Sequence, residues 1–169
     1  DFLIDGRIPA RLYRPRDGKR GGGVIHYVHG GGWVMGNLDM NDNSCRLLAN
    51  RSGLPVVATT YRLAPEHPFP AATEDAWQAL GWVVKNAAAQ GWDANRIAMA
   101  GGSAGGNLVA STTLRAKAQG GPRIAKQVLI YPVIDSTMST ESYTTNARGY
   151  LITAEQMAWY WRRYVPDAA

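Results

Sequence analysis

The chain has 169 residues, enough for one domain that buries roughly 68–70% of the surface its unfolded form exposes. Its 46% apolar and 18% charged residues are the mix of a soluble globular protein and exclude a disordered one. The net charge of +5 is scattered apart from a small group, Arg11, Arg14, Arg16, Lys19 and Arg20. No aromatic stripe is interleaved with it, so no nucleic-acid partner is expected.

Residues 2–14 read as two short strands, Phe2-Leu3-Ile4 and Ile8 to Tyr13, around the turn Asp5-Gly6, with a loop from Arg16 to Gly23. Val24-Ile25-His26-Tyr27-Val28 is a continuous β-rich run, as in a strand covered on both faces. A glycine-rich loop, His29 to Met40, leads into a helix that Gly53 stops. The lone Cys45 falls in this helix, which excludes an intrachain disulfide and suits apolar packing. Val56 to Tyr61 is the next strand, followed by a loop with three prolines, Leu63 to Pro70. Ala76, Leu80, Val83 and Val84 have helical spacing within a helix from Ala71 to Ala89, ended by Gly91. Ile97 to Ala100 is a strand, Gly105 to Ala118 a helix closed by Gly120-Gly121-Pro122, and Val128 to Tyr131 another buried strand. Thr153-x-x-Gln156 has the form of a capping box opening an aromatic helix, Met157 to Tyr164.

After the opening strands, helices and buried strands alternate. That pattern predicts right-handed βαβ units in a mostly parallel α/β sheet with helices on both faces. In such sheets chemistry collects at the carboxyl ends of the strands, where His29, Ser103 and Asp135 all fall. No stretch approaches the length of a membrane span, and no signal-peptide pattern opens the chain, so a cytoplasmic location is expected. The chain begins Asp1-Phe2-Leu3 without methionine and is read as an internal segment.

Gly101-Gly102-Ser103-Ala104-Gly105-Gly106 is a G-x-S-x-G pattern at a strand-to-helix junction. A serine there lies on a tight turn with its hydroxyl clear of the sheet, and the Ala104 N–H at the helix start can face a developing oxyanion. His29-Gly30-Gly31-Gly32-Trp33 is the second motif. Its three glycines can turn backbone N–H groups towards a ligand, as an oxyanion hole requires. His29 lies at the root of this loop and suits a structural hydrogen bond better than a base. Glu66 and His67 are sequence neighbours that rarely converge on a third residue, so they are read as structural. Trp159, Tyr160, Trp161 and Tyr164 are expected to pack as core or cover, with the wall of an acyl pocket as the alternative. No Gly-Lys-Ser/Thr or complete G-x-G-x-x-G is present, and no His/Cys/Asp/Glu cluster has metal spacing, so no cofactor is expected.

These motifs, with Tyr61 to Ala72 and Tyr131-Pro132, resemble the hormone-sensitive-lipase family of α/β-hydrolases along essentially the whole chain. The resemblance implies Ser103 as nucleophile, with the N–H groups of Gly31, Gly32 and Ala104 as oxyanion hole. It implies short- to medium-chain carboxylic esters as small-molecule substrates, hydrolysed without a cofactor. Gly102 departs from the family's usual acidic residue before the nucleophile, which adds backbone freedom at the elbow. The family's catalytic Asp and His lie after two further strands, whereas the histidines here, His26, His29 and His67, all precede Ser103. Residues 1–169 are therefore expected to be a single, partial domain lacking the last two strands and the N-terminal cap, and nearly inactive in isolation. An open edge on the last strand predicts a homo-oligomer or strand-swapped assembly. A non-catalytic small-molecule-binding module on the same fold is the rival reading, and a peptidase a more distant one.

Overall fold

The structure, a computed structural model, describes residues 1–17 and 22–166. Lys19 and Arg20 of the basic group, and the middle of the expected 16–23 loop, lie outside the described residues. Strands β1 (Phe2–Ile4) and β2 (Ile8–Tyr13) form a hairpin whose turn residues Asp5 and Gly6 both take positive φ, 48° and 69°. Four more strands follow: β3 (Val24–Val28), β4 (Val56–Thr59), β5 (Ile97–Gly102) and β6 (Ile124–Ile130). They join in one sheet of order β1-β2-β4-β3-β5-β6. The β4, β3, β5 and β6 strands run parallel, and β2 meets β4 antiparallel.

Helices α1 (Asp42–Ser52), α2 (Ala71–Gln90) and α3 (Ala104–Ala118) make the crossovers between successive parallel strands. Gly53 and Gly91 cap α1 and α2 in the left-handed conformation, as their positions in the sequence imply. Strand alternation divides the core. Val24 and Val28 of β3 face one cluster with Leu80, Val83, Met99 and Leu108, whereas Ile25 and Tyr27 face another with Cys45, Ala49 and Val56. Helices therefore cover both faces, and both faces of β3 are buried, which explains its unbroken apolar run.

Strand boundaries differ from expectation in β4, β5 and β6. β4 ends at Thr59, although the Thr60 N–H still donates to the Pro9 carbonyl of β2 at 3.0 Å. β5 continues through Gly101 and Gly102, which stay in register with Leu129 and Ile130. β6 begins at Ile124, since backbone pairing with β5 carries the polar Lys126 and Gln127 into the ladder past an irregularity at Ile97/Ala98. The expectation of a buried strand at Val128 to Tyr131 is also wrong. Val128 is 49% and Tyr131 78% exposed, because β6 is the edge strand and only α3 packs on it closely. A four-residue helix, α4 (Ser142–Thr145), had no sequence signal.

The last helix, α5 (Ala154–Tyr164), starts directly after the Thr153–Gln156 capping box rather than at Met157. The Thr153 hydroxyl accepts from the Gln156 N–H at 3.1 Å, and the Gln156 side chain accepts from the Thr153 N–H at 2.9 Å. Met157, Tyr160, Trp161 and Tyr164 share the helix face that spacing i, i+3, i+4, i+7 defines.

Candidate functional site

The chain leaves β3 for β4 on one side and later returns to β5 on the other, so the carboxyl ends of β3 and β5 flank a topological switch point. Their register, Val28 opposite Gly101, sets the His29 loop beside Ser103. Small residues make that approach feasible. A Cβ on Gly105 would meet the His29 carbonyl oxygen at 2.5 Å, and one on Gly30 would come within 2.8 Å of the Gly102 oxygen. At Gly101 the obstruction is Gly105 itself, 2.6 Å away. The three glycines let the first turn of α3 and the glycine loop close on each other.

Ser103 has φ 54° and ψ −124°, a strained conformation for a residue with a Cβ. It is over-determined by its backbone. The Ser103 N–H donates to Ile130 O at 2.9 Å, and its carbonyl accepts from Asn107 at 3.1 Å and Val133 at 3.3 Å. Although Ser103 is the N-cap of α3, its side chain makes no cap hydrogen bond. Gly102, where added backbone freedom is expected, ladders with Ile130 and lies against the Tyr131 ring.

A cleft of about 500 Å³ opens at Ser103, lined by Gly30, Gly31, Gly32 and Tyr160 and walled on its apolar side by Val133, Leu151, Ile152 and Met157. Gly31 and Gly32 take φ 120° and 57°. The N–H groups of Gly31, Gly32 and Ala104 donate to no acceptor among the described residues, although Gly32 and Ala104 are buried. Buried donors ordinarily have a partner, and an oxygen bound in the cleft would supply one here. Ser103, Gly31 and Gly32 thus come together as the motifs imply, and Ala104 adjoins them at the helix start.

No histidine lines the cleft. His26 is fully buried and its Nε2 lies 2.9 Å from the Thr59 hydroxyl; burial pushes its pKa down to about 4. His29 is 2% exposed, and its ring stacks on Tyr61 with centroids 4.4 Å apart. A carbonyl can only accept, so the 2.6 Å contact between His29 Nδ1 and Gly30 O places the proton on Nδ1. Burial lowers the His29 pKa, which keeps the ring neutral. It braces the glycine loop from beneath, in line with its position at the loop root. Glu66 and His67 are exposed on the proline loop, away from the cleft. Asp135 accepts from Thr137 N and Oγ1, both at 2.9 Å, and these bonds hold its carboxyl below the ordinary range. It closes its own turn and does not reach the cleft.

The aromatic helix divides between the two roles proposed for it. Trp161 and Tyr164 pack on Trp33, Tyr160 lines the cleft, and Trp159 is 41% exposed beneath Arg163. Sequence reasoning missed Tyr27, Met40, Asn41 and Tyr131, which also line the cleft. The Tyr27 hydroxyl donates to Asn41 at 3.2 Å, and burial pushes the phenol up to about 12, so it stays neutral. The alternation of β3 could have flagged Tyr27; nothing local marks Met40 or Asn41. Among the described residues no group of three or more His, Cys, Asp or Glu could hold a metal, and no helix is long and apolar enough to cross a membrane.

A parallel sheet with a strained serine between β5 and α3, beside a glycine loop after β3, defines an α/β hydrolase architecture. The model of the alpha/beta hydrolase fold family matches residues 25–169, and the chain belongs to that family. It is similar to the ethyl acetate hydrolase of Pseudomonas putida, 42% identical over 162 residues that cover 93% of this chain and 50% of that protein. It is 43% identical over 166 residues to carboxylesterase NlhH of Mycobacterium tuberculosis, covering 98% of this chain and 51% of the relative. Among solved structures, the hyperthermophilic esterase from the archaeon Pyrobaculum calidifontis superposes with a TM-score of 0.87 at 48% identity, over 95% of this chain and 52% of that one. The chain spans about half the length of the curated relatives it matches. The resemblance to hormone-sensitive-lipase esterases read from the motifs is borne out at the level of the family.

Proposed function

We propose that this chain carries the nucleophile and oxyanion half of a serine carboxylester hydrolase. Ser103 Oγ passes its proton to a base from outside the cleft lining and attacks the ester carbonyl. The Gly31, Gly32 and Ala104 N–H groups receive the negative charge on the carbonyl oxygen, and collapse breaks the ester C–O bond, so that the alcohol leaves with that proton. Water then releases the acyl group. The observation that carries this reading is the uncommitted hydroxyl of a strained serine beside open N–H donors in a largely apolar cleft. The apolar wall of Leu151, Ile152 and Met157 suits short- to medium-chain acyl groups. The names of the relatives as ester hydrolases agree with the reaction class.

The proton-transfer half is not among the residues lining the cleft. A serine hydroxyl is a poor nucleophile without a base, and losing the triad histidine costs about 10⁶-fold in kcat in a serine protease. The isolated chain is therefore nearly inactive by this reading. Hydrolysis of p-nitrophenyl acetate across a series of imidazole concentrations tests it, with Ser103→Ala alongside. The expected outcome is a small unassisted rate and an imidazole-dependent component that only the Ser103 protein shows. Identical rates for the two proteins at every imidazole concentration would refute the nucleophile and favour a small-molecule-binding module. Rapid Ser103-dependent turnover without imidazole would show instead that the chain supplies a base.

A further inference from the structure

The oxyanion loop contains two residues whose conformations are costly unless held. Gly32 has φ 57° and is buried, and Trp33, a bulky residue, has φ 61°. Hydrogen bonds hold part of this loop: Val34 and Met35 N–H groups donate to Gly31 O at 3.1 and 3.0 Å, Ala64 N–H donates to Trp33 O at 2.9 Å, and His29 Nδ1 lies 2.6 Å from Gly30 O. Gly32 and Trp33 are also met by α5. The Tyr160 ring lies so close to Gly32 that three of its carbons occupy the space a Cβ there would need. Trp33 stacks on Tyr164 with centroids 4.3 Å apart and planes 4° from parallel, and meets Trp161 at 4.6 Å. Tyr164 is anchored in turn, since its carbonyl accepts from Phe69 N–H at 2.8 Å and its ring meets Phe69 edge-on at 5.9 Å.

We propose that α5 is a positioning clamp for the oxyanion loop, with Tyr160 seated on Gly32 while Trp161 and Tyr164 hold Trp33. The clamp keeps the strained backbone of residues 31–33 from relaxing, and so keeps the Gly31 and Gly32 N–H groups open and aimed into the cleft. Tyr160 also lines that cleft, which makes it the member of the clamp that a bound acyl group touches. The clamp is remote in sequence from the loop it serves, and the capping box at Thr153 sets where its helix begins. Nothing in it donates or accepts a proton for the reaction: the ring face of Tyr160, not its hydroxyl, does the work. This inference rests on the reading of Gly31 and Gly32 as oxyanion donors.

The test compares Tyr160→Ala, Trp161→Ala and Tyr160→Phe with Arg162→Ala, a change on the exposed face of the same helix. Amide hydrogen exchange of residues 31–35, read at the hydrogen-bonded Val34 and Met35 amides, is the first readout and needs no turnover. Tyr160→Ala and Trp161→Ala should raise exchange there at least tenfold while α2 keeps its protection; Tyr160→Phe should restore it. The second readout is imidazole-assisted hydrolysis, where a loosened hole lowers kcat by about 10²-fold with little change in KM. Unchanged exchange at 31–35 in both alanine variants overturns the clamp, whatever the activity. Faster exchange across α2 as well shows general loosening and also counts against it. If the parent protein shows no imidazole-assisted, Ser103-dependent turnover, the proposed function fails while exchange still decides the clamp. If exchange rises but kcat does not fall, the loop is clamped for stability alone and the positioning role is refuted.

Discussion

Asp75 offers the sharpest quantitative test of how the site is held. This carboxylate on α2 is 1% exposed and accepts four hydrogen bonds. Its Oδ2 takes the backbone N–H and Nε of Arg62, both at 2.9 Å, and its Oδ1 takes Arg62 Nη2 at 2.9 Å and Arg7 Nη1 at 2.7 Å. It thereby ties the loop that follows β4, and the β1–β2 hairpin, to α2. Burial by itself would raise the Asp75 pKa, but the Arg62 and Arg7 hydrogen bonds outweigh it and hold the carboxyl below its ordinary value. Asp75→Asn keeps the shape but replaces one oxygen by an amino group. Whichever way the amide turns, two of the four donors then face another donor. A charge-assisted hydrogen bond is worth about 1.5–3 kcal/mol, and the two arginines, 38% and 40% exposed, recover part of the loss through water. The expected cost is about 3 kcal/mol, which lowers the melting temperature by about 6–12 °C in a domain of this size. Urea denaturation at neutral pH measures it as a shift in midpoint at constant slope. The sign with pH is also set. A depressed carboxylate contributes stability that is complete above the unfolded pKa and fades as pH falls through the folded one. The gap between parent and variant must therefore shrink in acid. A cost below about 0.5 kcal/mol at pH 7, or a gap that stays constant into acid, would refute the reasoning.

Four further outcomes are expected. His26 is neutral in the fold with its pKa near 4, so stability should fall by about 3 kcal/mol as pH drops from 6.5 to 4, and His26→Gln should flatten that slope in pH-resolved unfolding. Gly105→Ala should destabilise by about 1–3 kcal/mol and lower imidazole-assisted turnover, because its Cβ must push the His29 loop away from Ser103; a variant as stable and active as the parent would contradict the packing. Thr153→Ala should cost about 1 kcal/mol through the lost cap, seen as earlier fraying of α5 by hydrogen exchange. The exposed edge of β6 should drive association of the isolated chain, and Val128→Lys should reduce the concentration dependence of its light scattering.

Local patterns carried much of this molecule. The alternation of strand and helix, the glycine stops at Gly53 and Gly91 and the capping box at Thr153 depend on a few neighbouring residues, and each appears where the sequence puts it. The two glycine motifs were equally legible, because a backbone that must pass within 3 Å of another has no alternative to glycine. Where periodicity failed, long-range pairing had overridden it. Lys126 and Gln127 interrupt an apolar run yet sit in β6, since the ladder with β5 is indifferent to side-chain polarity. Val128 and Ile130 are exposed although they read as core, because burial depends on what packs across the strand.

By itself the sequence determined an α/β hydrolase sheet with a serine at the end of one strand and a glycine loop at the end of another. Both are short-range matters of hydrogen-bond geometry and steric room. Only the tertiary structure decided that the two loops meet, since their adjacency comes from the crossover that sets β5 beside β3. It also decided that all three histidines stand outside the cleft, and that the glycine loop packs against a helix more than 120 residues later in the chain. Contacts at that separation are chosen by how whole elements pack, and no local run of residues encodes them.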